Sequence, residues 1–255
     1  MAGILDRFGL SGRVAIVTGA SRGLGAGMAR ALAEAGADVA LVARRDTADL
    51  AREISALGRR AAAIPVDVAA AGAAEKIVAD TVAALGRADI LVNNAGIIRR
   101  APFLEFSEQD WRDVLDVNLD AAFRLSQVFA RRLVAAREPG KIIHIASMLS
   151  FQGGVRVASY TAAKSALHGL TKLMANELAG LGINVNAIAP GYMATDNTAQ
   201  LRADAARNAA ILDRIPAGRW GEPEDLQGAV VFLASPASNY VNGHTLAVDG
   251  GWLAR

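Results

Sequence analysis

An α/β fold, a parallel sheet wound with helices on both faces, is predicted by three features of the sequence. Short aliphatic runs alternate with longer Ala-rich stretches along the chain. The runs are continuously apolar, as suits strands covered on both sides. Glycines stand where the Ala-rich stretches should stop as helices. Strand then helix, repeated, gives right-handed βαβ units.

The elements follow in order. VAIVTG (14–19) is the first strand and LGAGMARALAEAG (24–36) the first helix. VALVA (39–43) comes next, then an Arg- and Glu-bearing stretch ending at Gly58. AAAIPVD (61–67) precedes a helix running to Gly86. DILVNNAG (89–96), KIIHIAS (141–147), INVNAIAPG (183–191) and TLAVDGG (245–251) read as the remaining strands. A helix is expected from about 107 to 137. Gly36, Gly58, Gly86 and Gly182 mark helix ends. The stretch 192–222 is polar and helical and interrupts the rhythm. Insertions beyond a strand's carboxyl end often cover the ligand crevice of such a sheet. With no linker, repeat or low-complexity stretch, residues 1–255 are expected to form one domain.

Composition narrows the function. The chain is 53% hydrophobic and 20% charged, which suits a core and not disorder. Its 27 basic and 25 acidic residues nearly balance, which argues against a dedicated nucleic-acid binder. With no cysteine there is neither a disulfide framework nor a thiolate metal site. His144, His168 and His244 lack metal-ligand spacing, so no metal is expected. No signal-like leader and no apolar run near ~18 residues is present, so a soluble cytoplasmic protein without a membrane partner is expected.

TGASRGLG (18–25) joins the first strand to the first helix. Its glycines allow a tight turn, and its amides, with the positive end of the helix, suit a pyrophosphate. Gly19, Ser21, Arg22, Gly23, Leu24 and Gly25 are the expected contacts. The second strand ends with Ala43 where a carboxylate would meet a ribose diol, and Arg44 follows. Arg22 and Arg44 together suit a 2′-phosphate through forked, charge-assisted bonds. Asp67, with Val68 beside it, is placed to accept from an adenine amino group, or to cap a helix. In SMLSFQGGVRVASYTAAK (147–164), Tyr160 and Lys164 are four apart and share a helix face, and Ser147 closes the preceding strand. Spacing alone leaves chance and chemistry both open.

TGASRGLG, NNAG (93–96), Asn118 in DVNLD, Ser147, YTAAK (160–164) and PG (190–191), in that order, resemble the short-chain dehydrogenase/reductase family from about residue 10 to the C-terminus. The resemblance implies a seven-stranded Rossmann sheet, usually assembled as a homotetramer. It implies a catalytic set of Asn118, Ser147, Tyr160 and Lys164. Tyr160 would exchange the proton, Ser147 hold the substrate oxygen, and Asn118 hold a water that links Lys164 to solvent. A lysine ammonium ~4 Å from a tyrosine is worth ~4 kcal/mol at an effective dielectric of ~20, which would lower the phenol's pKa. Tyr160 and Lys164 would also meet the nucleotide. Asn93, Asn94, Ala95 and Gly96 would line its cleft, with Pro190, Gly191, Met193 and Thr195 beyond the sixth strand.

NNAGIIRR, IASMLSFQGG, NAIAPGYMATDNTAQLRAD and ILDRIPAGRWG narrow the resemblance to the family's sugar-acid branch. These are the 2-deoxy-D-gluconate 3-dehydrogenases, also described as 2-dehydro-3-deoxy-D-gluconate 5-dehydrogenases. That branch generally favours NAD(H), and Arg22 with Arg44 departs from it, so NADP(H) is the favoured nucleotide here and NAD(H) the second. A sugar acid needs a cationic anchor. Arg99, Arg100, Arg156 and Arg219 are candidates, one of the first three being expected to bind the carboxylate, and Gln152 is a hydroxyl partner. The other readings are a uronate-derived keto-acid reductase, a 3-oxoacyl thioester reductase docking a carrier on Arg99–Arg100, and a nucleotide-binding regulator.

Overall fold

The computed structural model describes residues 3–255. Strands β1 (Val14–Thr18), β2 (Asp38–Ala43), β3 (Ala61–Pro65), β4 (Ile90–Asn93), β5 (Gly140–Ile145), β6 (Ile183–Pro190) and β7 (Thr245–Val248) were all anticipated. They form one seven-stranded sheet in the order β3-β2-β1-β4-β5-β6-β7. Every pairing is parallel.

Helices cover both faces because side chains along each strand alternate. Ala15 and Val17 face the core shared with α1 (Gly23–Glu34), α2 (Ala48–Ala56) and α9 (Gln227–Ala234). Val14 and Ile16 face the opposite core, under α3 (Ala73–Leu85), α5 (Ala121–Ala136) and α6 (Ala158–Leu178). Leu32 and Ile54 on one side, and Ile77, Phe129 and Leu133 on the other, are fully or almost fully buried. Burial of each stabilises the fold by roughly 1.5–3 kcal/mol. The four glycines expected as helix stops all have positive φ. Gly86 at the end of α3 and Gly182 before β6 use the left-handed region that other residues rarely adopt.

The helix expected over 107–137 is interrupted. α4 (Glu108–Leu115) passes into a π-turn, Asp116–Asp120, before α5 begins. Beyond β6 the polar stretch folds as a 3₁₀ turn (Asp196–Thr198), α7 (Ala199–Ala203) and α8 (Ala205–Arg214). Strand order reverses between β1 and β4, which places a crevice at their carboxyl ends.

Candidate active site

The glycine loop opens on that crevice. Gly25 allows a close approach that no other residue could: a Cβ there would lie 2.2 Å from the Gly19 carbonyl oxygen. Arg22 stands at the N-cap of α1 without a side-chain cap bond, which leaves the first amides of the helix for an anion. Asn94 braces the loop, its Nδ2 donating to the Thr18 carbonyl at 2.9 Å. The Thr18 hydroxyl accepts from the Asn94 and Ala95 amides at 3.0 Å each. Thr18, on the last turn of a β-branched strand, was not singled out from sequence; its hydroxyl at the strand's exit was the available signal.

A cleft of about 830 Å³ runs from this loop to Tyr160 and Lys164. Gly19, Ser21, Arg22, Gly23, Leu24 and Gly25 line one end, with Arg44, Asp67 and Val68 beside them. Asn94, Ala95, Gly96 and Thr195 line its middle. The size, the uncapped helix end and the glycine cradle fit a dinucleotide. Thr195 reaches over Gly23, whose added Cβ would lie 3.7 Å from the Thr195 methyl.

Several expected contacts are displaced. Asn93 points to the other face of β4, where its Nδ2 donates to Ser126 Oγ at 2.9 Å. Asn93 is the last residue of β4, and Asn94, just past the strand, is the one that lines the cleft. Pro190, Gly191 and Met193 do not line it; Ala194 through Asn197 do. Met193 is buried against Gly221, and Gly191 packs against Asp249, because the chain turns inward there before crossing the cleft. Arg22 is paired with Asp196 across the cleft, and Arg44 with Asp67 at 3.4 Å.

At the chemical end, Ser147 and Lys164 are buried. Ser147 caps the short turn Met148–Ser150, its Oγ accepting from the Leu149 amide at 3.1 Å. Lys164 Nζ donates to the Ile145 carbonyl at 2.6 Å and lies 5.6 Å from the Tyr160 ring centroid. Burial brings the Lys164 pKa down to about 8. The Tyr160 phenol is pushed up by burial, opposed by its bond with Ser147 and by the charge of Arg100. The expected lowering by Lys164 is therefore not what this geometry gives. The ammonium is turned to a carbonyl, and Arg100 is the cation that acts on the phenol.

Asn118, in the π-turn, is also buried. Its Oδ1 accepts from the Ile97 amide at 2.8 Å and its Nδ2 donates to the Ile97 carbonyl at 2.9 Å. Both ends of the amide thus hold the loop after β4 rather than facing Lys164. π-turns of this kind recur at functional sites.

The arginines separate clearly. Arg99 is held by Asp110 at 3.2 Å and Asp113 at 3.5 Å. Arg156 is exposed, with a left-handed backbone (φ 65°), and none of its side-chain nitrogens is bonded among the described residues. Arg219 pairs with Asp225. Arg99, so held, lines the cleft with Tyr160. Arg100 is exposed; it donates to the Asn197 carbonyl at 2.9 Å, and its charge reaches Tyr160 and Tyr192. Loss of hydration lowers its pKa. Gln152 is not free, since its Oε1 accepts from Arg214 at 3.2 Å. Arg214 in turn stacks on Trp252 at 4.0 Å. Tyr192 packs edge-on against both Trp220 and Trp252, so these tryptophans support the crevice wall from below.

Comparison with known proteins agrees with this arrangement. The family model described as Enoyl-(Acyl carrier protein) reductase matches residues 19–253. Over 252 residues the chain is 57% identical to the 2-dehydro-3-deoxy-D-gluconate 5-dehydrogenase of Escherichia coli strain K12, covering 99% of this chain and 100% of the relative. A structure from Agrobacterium tumefaciens with bound NADP, provisionally described as a 2-deoxy-D-gluconate 3-dehydrogenase, is 58% identical with a TM-score of 0.93, over 98% of this chain and 99% of that one. A gluconate 5-dehydrogenase from Burkholderia cenocepacia J2315, in complex with NADP and tartrate, is 44% identical with a TM-score of 0.95, over 99% and 100% of the two chains. With its glycine loop, crevice and Ser147–Tyr160–Lys164 cluster, the chain belongs to the short-chain dehydrogenase/reductase family of NAD(P)-dependent oxidoreductases.

Proposed function

We propose that the protein interconverts a hydroxyl and a ketone on a small sugar acid of the 2-deoxy-D-gluconate or 2-dehydro-3-deoxy-D-gluconate class, with NADP(H) preferred over NAD(H). The observation that carries this reading is Arg100, a cation at the rim of the crevice whose charge reaches Tyr160. A neutral ketone would not need it; a carboxylate would. The names of the similar proteins and their bound NADP support the substrate class and the nucleotide.

The nucleotide, when bound, supplies or accepts the hydride. Gly19 to Gly25 would cradle its phosphates, and Arg22 and Arg44 would serve the ribose phosphate. Ser147 donates a hydrogen bond to the substrate oxygen, and Tyr160 gives that oxygen its proton or takes it back. Lys164, a cation below about pH 8, would bind the nicotinamide ribose, while Arg100, whose charge lowers the phenol's pKa, would favour the phenolate that remains. Asn118 acts as a positioning residue, fixing Ile97 and with it the loop that carries Arg100. Arg100 anchors the carboxylate, and its bond to Asn197 ties the anchor to the covering segment. Residues 192–222 form that cover within a single catalytic domain.

The carrier-docking alternative is weakened, because Arg99 is neutralised by two aspartates and Arg100 is tied to the Asn197 carbonyl. Among the described residues no helix is long and apolar enough to cross a membrane. Exposed Trp111, Phe123 and Val134 on α4 and α5 support self-association, which we propose is a homotetramer, with the cytoplasm as its proposed compartment.

The test is absorbance at the reduced-nicotinamide band with 2-dehydro-3-deoxy-D-gluconate and either NADP⁺ or NAD⁺. Turnover with NADP⁺ ahead of NAD⁺ is expected. Turnover only with acyl thioesters would reject the sugar-acid reading.

A further inference from the structure

Both arginines placed for a ribose 2′-phosphate already have a carboxylate partner. Arg44 meets Asp67 at 3.4 Å, on the neighbouring strand's exit. Arg22 meets Asp196, which comes from a different part of the fold: the turn that crosses the cleft after β6. Arg22 and Asp196 both line the cleft, and both are exposed, at 51% and 68% of their side-chain surface. The end of the cleft that would take the phosphate therefore holds Arg22, Arg44 and Arg45 against Asp67 and Asp196.

We propose that Asp196 is a specificity-determining residue that competes with a 2′-phosphate for Arg22 and so weakens the preference for the phosphorylated nucleotide. The proposal rests on the reading that Arg22 serves that phosphate. A guanidinium grips an oxyanion best with two N–H groups, and Asp196 already takes one of the Arg22 nitrogens, Nη1. A phosphate must displace the carboxylate or share the cation beside it, at the cost of like-charge repulsion. Because the pair is exposed, its hold on Arg22 is weak and falls further with salt. The carboxylate tunes the preference without abolishing it. NAD(H), lacking the phosphate, leaves the pair intact.

The test is direct binding of NADPH and NADH, followed by nicotinamide fluorescence at low salt, to the wild-type protein, Asp196→Asn and Asp196→Glu. Asp196→Asn should tighten NADPH about three- to tenfold relative to NADH, and the gain should shrink at high salt. Asp196→Glu, which keeps the charge, should retain the wild-type ratio. An unchanged NADPH-to-NADH ratio in Asp196→Asn, or a weaker hold on NADPH, would overturn the competition. An NADPH-to-NADH ratio left unchanged by Arg22→Ala, in the wild-type and Asp196→Asn backgrounds alike, would instead reject the phosphate role of Arg22, and the proposal with it.

Discussion

His144 should make the protein lose stability in mild acid, well above the range where carboxylates titrate. The imidazole is fully buried on β5, with Nδ1 2.9 Å from Thr171 Oγ1 and Nε2 3.2 Å from Ser126 Oγ. Its tautomer follows from its neighbours. The Thr171 hydroxyl spends its proton on the Leu167 carbonyl at 2.8 Å, so it accepts from Nδ1–H. Nε2 then accepts from Ser126, whose oxygen accepts from Asn93. No acceptor remains for a second proton, and the charge of Lys164 is near. Burial first, and Lys164 second, bring the pKa from 6.5 down to about 3. In the folded state His144 stays neutral while the unfolded chain takes a proton below pH 6.5. Stability is thus full above about pH 6.5 and declines as pH falls toward 3, by about 1.4 kcal/mol per unit. At pH 5 the loss is about 2 kcal/mol, a large share of a typical domain's total. Urea denaturation at pH 7.5, 6 and 5, at fixed protein concentration, reads it. His144→Asn should start less stable, by about 1–3 kcal/mol for the broken network, yet lose less than half as much between pH 7.5 and 5. His168, also depressed by burial, accounts for a smaller share of the remainder. Equal losses in the two proteins would refute the argument.

Tyr160→Phe should lower kcat by about 10²- to 10⁴-fold while leaving the Kd for NADPH, read by fluorescence, within twofold of wild type, roughly. Arg100→Ala should lower kcat/KM for the sugar acid by about 10- to 100-fold, mostly through KM, whereas Arg99→Ala should show mainly in the melting temperature. Gly25→Ala should abolish nucleotide binding measured by calorimetry, because the new methyl meets the Gly19 carbonyl at 2.2 Å.

Sheet and helices were legible because their signals are local. A strand buried on both faces must be apolar throughout, and a helix ending in a left-handed residue favours glycine. Tyr160 and Lys164 were drawn together by their spacing on one helix, but the role proposed for them came from the family resemblance, since the spacing alone left chance and chemistry both open. Contacts that depend on distant residues were not. Nothing near Arg22 announces Asp196, 174 positions away. Among the adjacent arginines, Arg99 and Arg100 differ only in what α4 and the covering segment present to them. Asn93 and Asn94 look alike in the sequence and part company only because β4 ends between them. The turning of Lys164 toward Ile145 required the backbone itself.

The π-turn at Asp116–Asp120 carries one residue more than an α-turn would. It spreads its residues over about the angle that one fewer would take in an α-helix. Deleting one residue there would regularise the helix, and α5 would keep its face, with Ser126 still toward Asn93 and His144. The loss would be local: Asn118 would leave Ile97. The extra residue thus serves the rim of the crevice alone, and the polar chain beneath α5 is insulated from it.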